Sequence, residues 1–243
     1  AGMESTSPAG SLTPVMLEGE PAVAHLRPYA GLMRSLPEID GAAMGHGLLS
    51  ADPDPDGIVR RTPLMARLGN APVASLELEM LRLAVGANWI TLTGTSAGAH
   101  SVTVGDLRLP VQSNGMIWIH YGPHDPARFV SASAVLDGSA DPEMLHSKLV
   151  LVGVTGLGLI DQPATPLVSR MAGVEIRAQI LEAIFDNDLL RRPGWARWAE
   201  AGLSVLFCGF LSRAIPVVRP RWTPVVWGAG GGVLALAGFA AFA

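Results

Sequence analysis

The sequence predicts an α/β fold, a mixed sheet with flanking helices, followed by two transmembrane helices. Three observations support this prediction. Short runs rich in β-branched residues alternate with two longer amphipathic segments within residues 1–194, as expected of a mixed α/β domain. The uninterrupted apolar run at 148–154 has the length of a strand that is covered on both faces. Beyond Ala199, the only charged residues are Glu200, Arg213, Arg219 and Arg221.

The composition argues against nucleic-acid binding and against a disulfide scaffold. Lysine and arginine number 17 against 21 acidic residues, the net charge is −4, and both signs are scattered along the chain. A nucleic-acid-binding domain usually carries a basic patch, so we expect no nucleic-acid partner. The single cysteine, Cys208, lies in an apolar stretch and has no second cysteine to pair with.

The elements of the domain follow from periodicity and from the residues that begin and end each run. The first long helix is predicted from Ser75 near its start and Gly86 at its end. Residues 22–36 show apolar residues at helical spacing, but Pro28 limits any helix there. Helices are expected at 74–85, 131–136, 142–146 and 173–190. Strands are expected at 11–17, 45–49, 58–68, 89–93, 102–104, 107–111, 116–121 and 148–154.

The stretch DPDPDG at 52–57 opens like a calcium-binding loop, with acidic residues at positions 1, 3 and 5 and glycine at position 6. Such a loop needs a bidentate glutamate at position 12, where this chain has Pro63. We therefore predict a tight turn in which Asp56-Gly57 supplies the positive φ, and we assign no metal site.

Two arginines follow this turn on the next predicted strand. Arg60 and Arg61 are neighbours, so their side chains are expected on opposite faces. One of them can pair with the acidic turn, while the other can face a cleft and bind an anion. Both roles stay open, and Asp56, Arg60 and Arg61 are candidate ligand-binding residues.

A glycine-rich loop, GVTGLG at 153–158, follows the apolar run. It lacks both the Gly-Lys-Ser/Thr ending of a phosphate-binding loop and the order G-x-G-x-x-G, so we expect no nucleotide cofactor. However, α/β folds place ligands at the carboxyl ends of their strands. The polar residues available there are Thr155, Asp161 and Thr165, which complete the candidate ligand-binding set.

No arrangement of residues predicts catalysis. His120 and His124 are four residues apart, but the Gly-Pro between them prevents a helix from bringing them together. The one G-x-S-x-G match, GTSAG at 94–98, lies between two predicted strands and not between a strand and a helix, so it predicts no nucleophile elbow. We therefore assign no catalytic residue, although an enzyme that uses Asp161 and the histidines remains an alternative.

Two membrane spans are predicted, at residues 195–215 and 222–243. The second is uncharged over its whole length and has Trp222 and Trp227 near one end, where aromatic residues suit the membrane interface. The first reaches full length only if Glu200 and Arg213 lie at its two boundaries. Arginines are equally frequent on both sides, so charge leaves the orientation open.

Four segments together resemble the type-two CHASE domain, the cyclase/histidine-kinase-associated sensory extracellular domain. They are GHGLLSADPDPDGIVRRTPL, SLELEMLRLAVG, KLVLVGVTGLGLIDQPATPL and GVEIRAQILEAIFDNDLLRRP, in the order of the family. The chain departs from the family at Arg177, where a histidine is frequent, and much of the family's N-terminal portion is absent. The resemblance implies that residues 1–194 form an extracytoplasmic, periplasmic domain on the inner membrane of a bacterium, incomplete at its N-terminus.

The same resemblance implies a function in signalling. Such domains precede transmembrane helices and a cytoplasmic output domain, here most similar to that of a receptor adenylate/guanylate cyclase. The expected partners are the lipid bilayer, an unknown extracellular ligand, the effector domain of the same full-length chain and a second copy in a homodimer. Other hypotheses are a histidine kinase or other signalling enzyme as output, a membrane-tethered hydrolase-like enzyme, and a module that only dimerises the effector.

Overall fold

The computed structural model describes residues 13–20, 22–50, 52–155, 162–190 and 196–214, together with Gly231. The chain divides into two units, residues 1–190 and 191–243. The first unit contains all the strands and helices up to Leu190, and the second contains one described helix that begins at Ala196.

The largest sheet of the first unit has four strands. They are β1 (Val15–Gly19), β6 (Ile90–Thr95), β7 (Gly98–Val104) and β8 (Leu107–Pro110), in the order β1-β6-β7-β8. β1 runs parallel to β6, and the other two pairs are antiparallel. Ile90, Leu92, Val102 and Val104 are buried, while Thr91, Thr93 and Thr103 are more exposed, so one face of this sheet covers the core.

The remaining strands form two smaller sheets. They are β2 (Arg27–Tyr29), β4 (Met65–Leu68) and β5 (Ala71–Ala74) in one, and β3 (Arg61–Pro63) and β9 (Met116–Trp118) in the other. The predicted strand at 58–68 is broken at Leu64, because the N–H groups of Leu64 and Met65 both donate to Gly115 O. The mixed α/β class is confirmed, with the described strands in three sheets.

Two helices complete the core. α2 (Leu76–Ala84) begins where the Ser75 hydroxyl accepts a hydrogen bond from Leu78 N, as predicted for a helix cap. α4 (Gly173–Phe185) buries Ile176, Ile180 and Ile184. The prediction that this helix reaches residue 190 was wrong, because Asn187 adopts a left-handed backbone with φ 53°, the conformation that commonly ends helices.

Short elements surround this core. α1 (Pro37–Ala42) and α3 (Ala132–Leu136) bury no residue, and 3₁₀ turns lie at Val23–His25, Pro126–Arg128 and Pro142–Met144. The predicted strand at 45–49 was wrong, since only Leu48 forms an isolated bridge, to Ser75. Gly47 is packed against the start of α2: a Cβ there would lie 2.3 Å from Leu76 Cα.

The predicted buried strand at 148–154 was also wrong. The chain there is neither a strand nor buried, and Val152 is 92% exposed. Gly153 approaches α4 closely, because a Cβ at this position would lie 2.5 Å from Val174 Cβ. The run has the composition of a covered strand, but in the described residues no other strand provides the hydrogen bonds that a sheet requires.

The second unit contains α5 (Ala196–Ala214). Among the described residues, no helix combines the length and apolar character needed to cross a bilayer. α5 coincides with the first predicted span at 195–215, whereas the second predicted span at 222–243 lies outside the described residues except for Gly231.

Candidate functional site

A cavity of about 500 Å³ opens beside the first turn of α4. The loop between β9 and α3 provides one wall, and the residues that immediately precede α4 provide another. The lining residues are His124, Pro126, Phe129, Thr155, Gln162, Val168, Arg170, Met171, Ala172 and Glu175. The volume falls within the usual range for small-molecule sites, about 300–1,000 Å³.

A hydrogen bond spans the two walls. His124 Nδ1 lies 2.7 Å from Glu175 Oε1, and the two side chains are 53% and 10% exposed respectively. An ionised carboxylate only accepts hydrogen bonds, so Nδ1 is the donor. The His124 ring also packs against Phe129, with 5.1 Å between ring centroids. This contact links the loop to the first turn of α4 and gives the Glu175 carboxylate a hydrogen-bond donor.

Arg170 is the other charged residue of the lining. Within the described part of the chain, its guanidinium forms no ion pair or hydrogen bond. The loop that presents it is fixed by Thr165, whose hydroxyl donates to Val168 O and accepts from Val168 N, both at 3.2 Å. Met171 N also donates to Pro163 O at 3.1 Å. These local bonds hold Arg170 at the cavity without using its side chain.

A second set of contacts fixes the loop between β9 and α3 against α4. The amide of Gln179 forms two hydrogen bonds with the backbone of Gly122, each 3.2 Å long. The Tyr121 hydroxyl donates to Val59 O at 2.9 Å, and burial raises the pKa of this phenol. The position of His124 is therefore coupled to α4 through the residues that precede it.

The predicted ligand-binding residues separate into two groups. Thr155 lines the cavity, where its carbonyl accepts a hydrogen bond from Gln162 Nε2. Thr165 is buried next to the cavity and orders its wall. Asp161 lies outside the described residues. The other predicted residues, Asp56, Arg60 and Arg61, do not line the cavity.

Those three residues form ion pairs within the acidic turn. Arg60 contacts Asp54 at 3.2 Å and Asp56 at 2.7 Å, while Arg61 pairs with Asp54 and lies over the Trp118 ring. Arg60 lowers the pKa of Asp56 to about 2, and Arg61 lowers the pKa of Asp54. In the described residues, no cluster of three or more His, Cys, Asp or Glu could hold a metal ion.

A buried ion pair that was not predicted joins the two main helices. Arg177 of α4 donates to Glu77 Oε1 of α2 at 2.8 Å, and also to the Thr62 hydroxyl and to Ser50 O. The two side chains are only 6% and 0% exposed. The available signal was the position of Arg177, next to Ile176 and three residues before Ile180 on the apolar face of α4.

Comparison with known proteins identifies the family of the chain. A family model for the CHASE2 domain matches residues 9–215. No curated protein and no solved structure matches the chain. The match covers most of the sequence and confirms the resemblance noted from its four segments. The chain therefore belongs to the CHASE2 family, the extracellular sensory domains of signalling receptors.

Proposed function

We propose that this chain is the sensory and transmission part of a bacterial inner-membrane receptor, with a periplasmic sensory domain and a cytoplasmic output domain. The observation that carries this proposal is the position of α4. Glu175 in its first turn and Ala172 immediately before the helix line the cavity. Only residues 186–195 separate the end of α4 from α5 in the sequence. A ligand in the cavity therefore touches the helix that leads toward the predicted membrane spans.

The signal requires two arrangements of the domain that bind the ligand differently. Ligand contact at Glu175 acts on α4, and the pair between Arg177 and Glu77 transfers a shift of α4 to α2. Helix shifts of about 1–2 Å are common in such transitions. In this proposal the displacement of α4 is passed to helices at 195–215 and 222–243 that cross the lipid bilayer.

The proposed output is an adenylate or guanylate cyclase in the same full-length chain, acting in a homodimer. This assignment rests on the resemblance described above. For the described chain itself, the sensory family supports a binding role rather than catalysis.

The test uses the full-length receptor in isolated membranes, with cyclic nucleotide formation from ATP and GTP as the readout. Val168→Trp places a large ring in the cavity and imitates an occupied site, so we expect at least a three-fold change in cyclase activity. Immunoblotting checks that the variant and the wild type are present in equal amounts.

Transmission is tested by inserting a flexible Gly/Ser linker after Pro193. We expect the difference between Val168→Trp and wild type to disappear. The control is the same linker after Ser96, in the hairpin turn between β6 and β7, which should preserve the difference. If the difference survives the linker after Pro193, or if Val168→Trp has no effect, the proposed transmission is wrong.

The same membranes test the nature of the output domain. If they form no cyclic nucleotide from either substrate, the cyclase assignment is wrong. Transfer of the γ-phosphate of ATP to a histidine of the receptor would then support the histidine-kinase alternative.

A further inference from the structure

We propose that the cavity beside α4 binds a small organic monoanion, a carboxylate carried by a short apolar chain or ring. This inference rests on the proposed function, because it takes the cavity to be the site of sensing.

The charges of the lining favour an anion. Glu175 already accepts a hydrogen bond from His124 at 2.7 Å, so a cationic ligand would have to compete with an existing partner. Arg170 has no partner in the described part of the chain. A guanidinium donates two parallel hydrogen bonds to a carboxylate, and such bidentate pairs are stronger than neutral hydrogen bonds.

The number of unpaired charges limits the charge of the ligand. Arg170 can balance one negative charge, whereas a pyrophosphate or a polycarboxylate would bring further charge close to Glu175. Like charges at such short range in a partly buried site are unfavourable. A monoanion is the ligand class that this arrangement balances.

The apolar part of the lining requires more than an inorganic anion. Pro126, Phe129, Val168 and Met171 contribute carbon surface to the cavity, and Phe129 and Val168 remain substantially exposed. Burial of apolar surface stabilises a complex by roughly 25 cal/mol per Å². The volume of about 500 Å³ also leaves room for a chain or ring beside the carboxylate.

His124 has a positioning role in this proposal. Its Nδ1–H binds Glu175 and keeps that carboxylate from facing the bound anion without a partner. Removal of the imidazole would leave a bare negative charge in the wall. We therefore expect His124→Ala to weaken carboxylate binding, and Glu175→Gln in the same chain to restore it.

The experiment measures binding to the purified 243-residue chain in nanodiscs by isothermal titration calorimetry. The probes are acetate, hexanoate and benzoate, each compared with its uncharged amide, and hexylamine as a cation. We expect hexanoate or benzoate to bind at least ten-fold more tightly than acetate and than its own amide. Arg170→Gln should weaken this binding at least ten-fold, whereas Arg108→Gln on the exposed surface of β8 should not change it.

Three results would each contradict the proposal that the cavity binds an organic monoanion through Arg170. Tighter binding of the amides or of hexylamine would contradict an anion site, as would failure of all three carboxylates to bind. Binding that is unchanged by Arg170→Gln would place the anion elsewhere. Because Arg170 is exposed, we expect the variant to fold, and its circular dichroism spectrum checks this.

The two proposals fail separately. If hexanoate binds through Arg170 but leaves the output of the full-length receptor unchanged, the proposed function is wrong and the ligand class stands. If Val168→Trp changes the output while no carboxylate binds, the ligand class is wrong and the sensory role of the cavity stands.

Discussion

Two clusters of arginines and carboxylates hold different parts of this domain, and they differ in burial and in sequence distance. In the acidic turn, Arg60 and Asp56 are four residues apart and 33% and 50% exposed. In the core, Arg177 and Glu77 are 100 residues apart and almost entirely buried. The first cluster shapes a local turn in water. The second joins two helices in a medium where a charge without its partner is very costly.

The largest effect is expected from breaking the buried pair. Arg177→Met leaves Glu77 charged and without its main partner, so the free energy of unfolding should fall by about 3–5 kcal/mol. Urea titration of the chain in detergent, followed by near-ultraviolet circular dichroism, measures this change. The double variant Glu77→Met/Arg177→Met should recover most of the loss, because it removes both buried charges. A loss of less than about 1 kcal/mol in the single variant would show that this buried pair contributes no more than an exposed surface pair does, and would contradict the prediction.

An intermediate effect is expected from Gly47, which precedes the loop that supplies Ser50 O to Arg177. A Cβ at residue 47 would lie 2.7 Å from Ser75 O as well as close to Leu76 Cα, and both contacts are with backbone atoms that cannot rotate away. Gly47→Ala should therefore destabilise the domain by about 1–3 kcal/mol, as overpacking usually does.

The matched control is Gly41→Ala in α1, where a Cβ meets nothing within 4 Å. This variant should be neutral or slightly stabilising, because alanine favours helix more than glycine does. Thermal unfolding of the two variants under the same conditions compares them. Equal unfolding midpoints would show that the close packing of residue 47 against α2 does not exclude a side chain there.

The smallest effect is expected in the acidic turn and only at low pH. Arg60 depresses the pKa of Asp56 to about 2 in the folded chain, below the ordinary value of about 3.9. The contribution of this pair to stability is therefore present above about pH 4 and is lost as the pH falls toward 2. Asp56→Asn should make the unfolding midpoint less dependent on pH within this window.

The control for the turn is Asp106→Asn, at a carboxylate in the turn between β7 and β8 that has no arginine partner among the described residues. It should leave the pH dependence nearly unchanged. If both variants give the same pH profile, the pair between Arg60 and Asp56 contributes no stability above pH 4 that acid then removes.

Local features of the fold were predictable, and features that need a distant partner were not. The cap at Ser75 and the hairpin strands depend on neighbours within a few residues. The cap occurs where the sequence predicts it, and the two strands overlap the predicted runs at 89–93 and 102–104. The run at 148–154 shows the limit of this reasoning. Its composition predicts a covered strand, but composition cannot supply a neighbouring strand, and the segment is exposed.

The candidate site follows the same rule. Thr155 was predicted because α/β folds place ligands at the carboxyl ends of strands. It lines the cavity although the run before it is not a strand, so it lies at a cavity but not for the reason that predicted it there. His124 was not selected, since its partner Glu175 is 51 residues away. Arg170 was not selected either, because no motif surrounds it. These residues come together only through the packing of a loop against α4.

One oxygen of the buried pair destabilises the observed arrangement of α2 and α4. Glu77 Oε2 is buried and accepts no hydrogen bond from the described residues, and a buried acceptor without a donor costs about 1–3 kcal/mol or more. Any alternative arrangement of α2 and α4 that offers Oε2 a donor starts with that advantage. The free-energy difference between the two arrangements of α2 and α4 is then smaller. A ligand shifts a population only by its difference in affinity for the two states. In the proposed receptor, a compound with only a small difference in affinity for the two states would then shift the population.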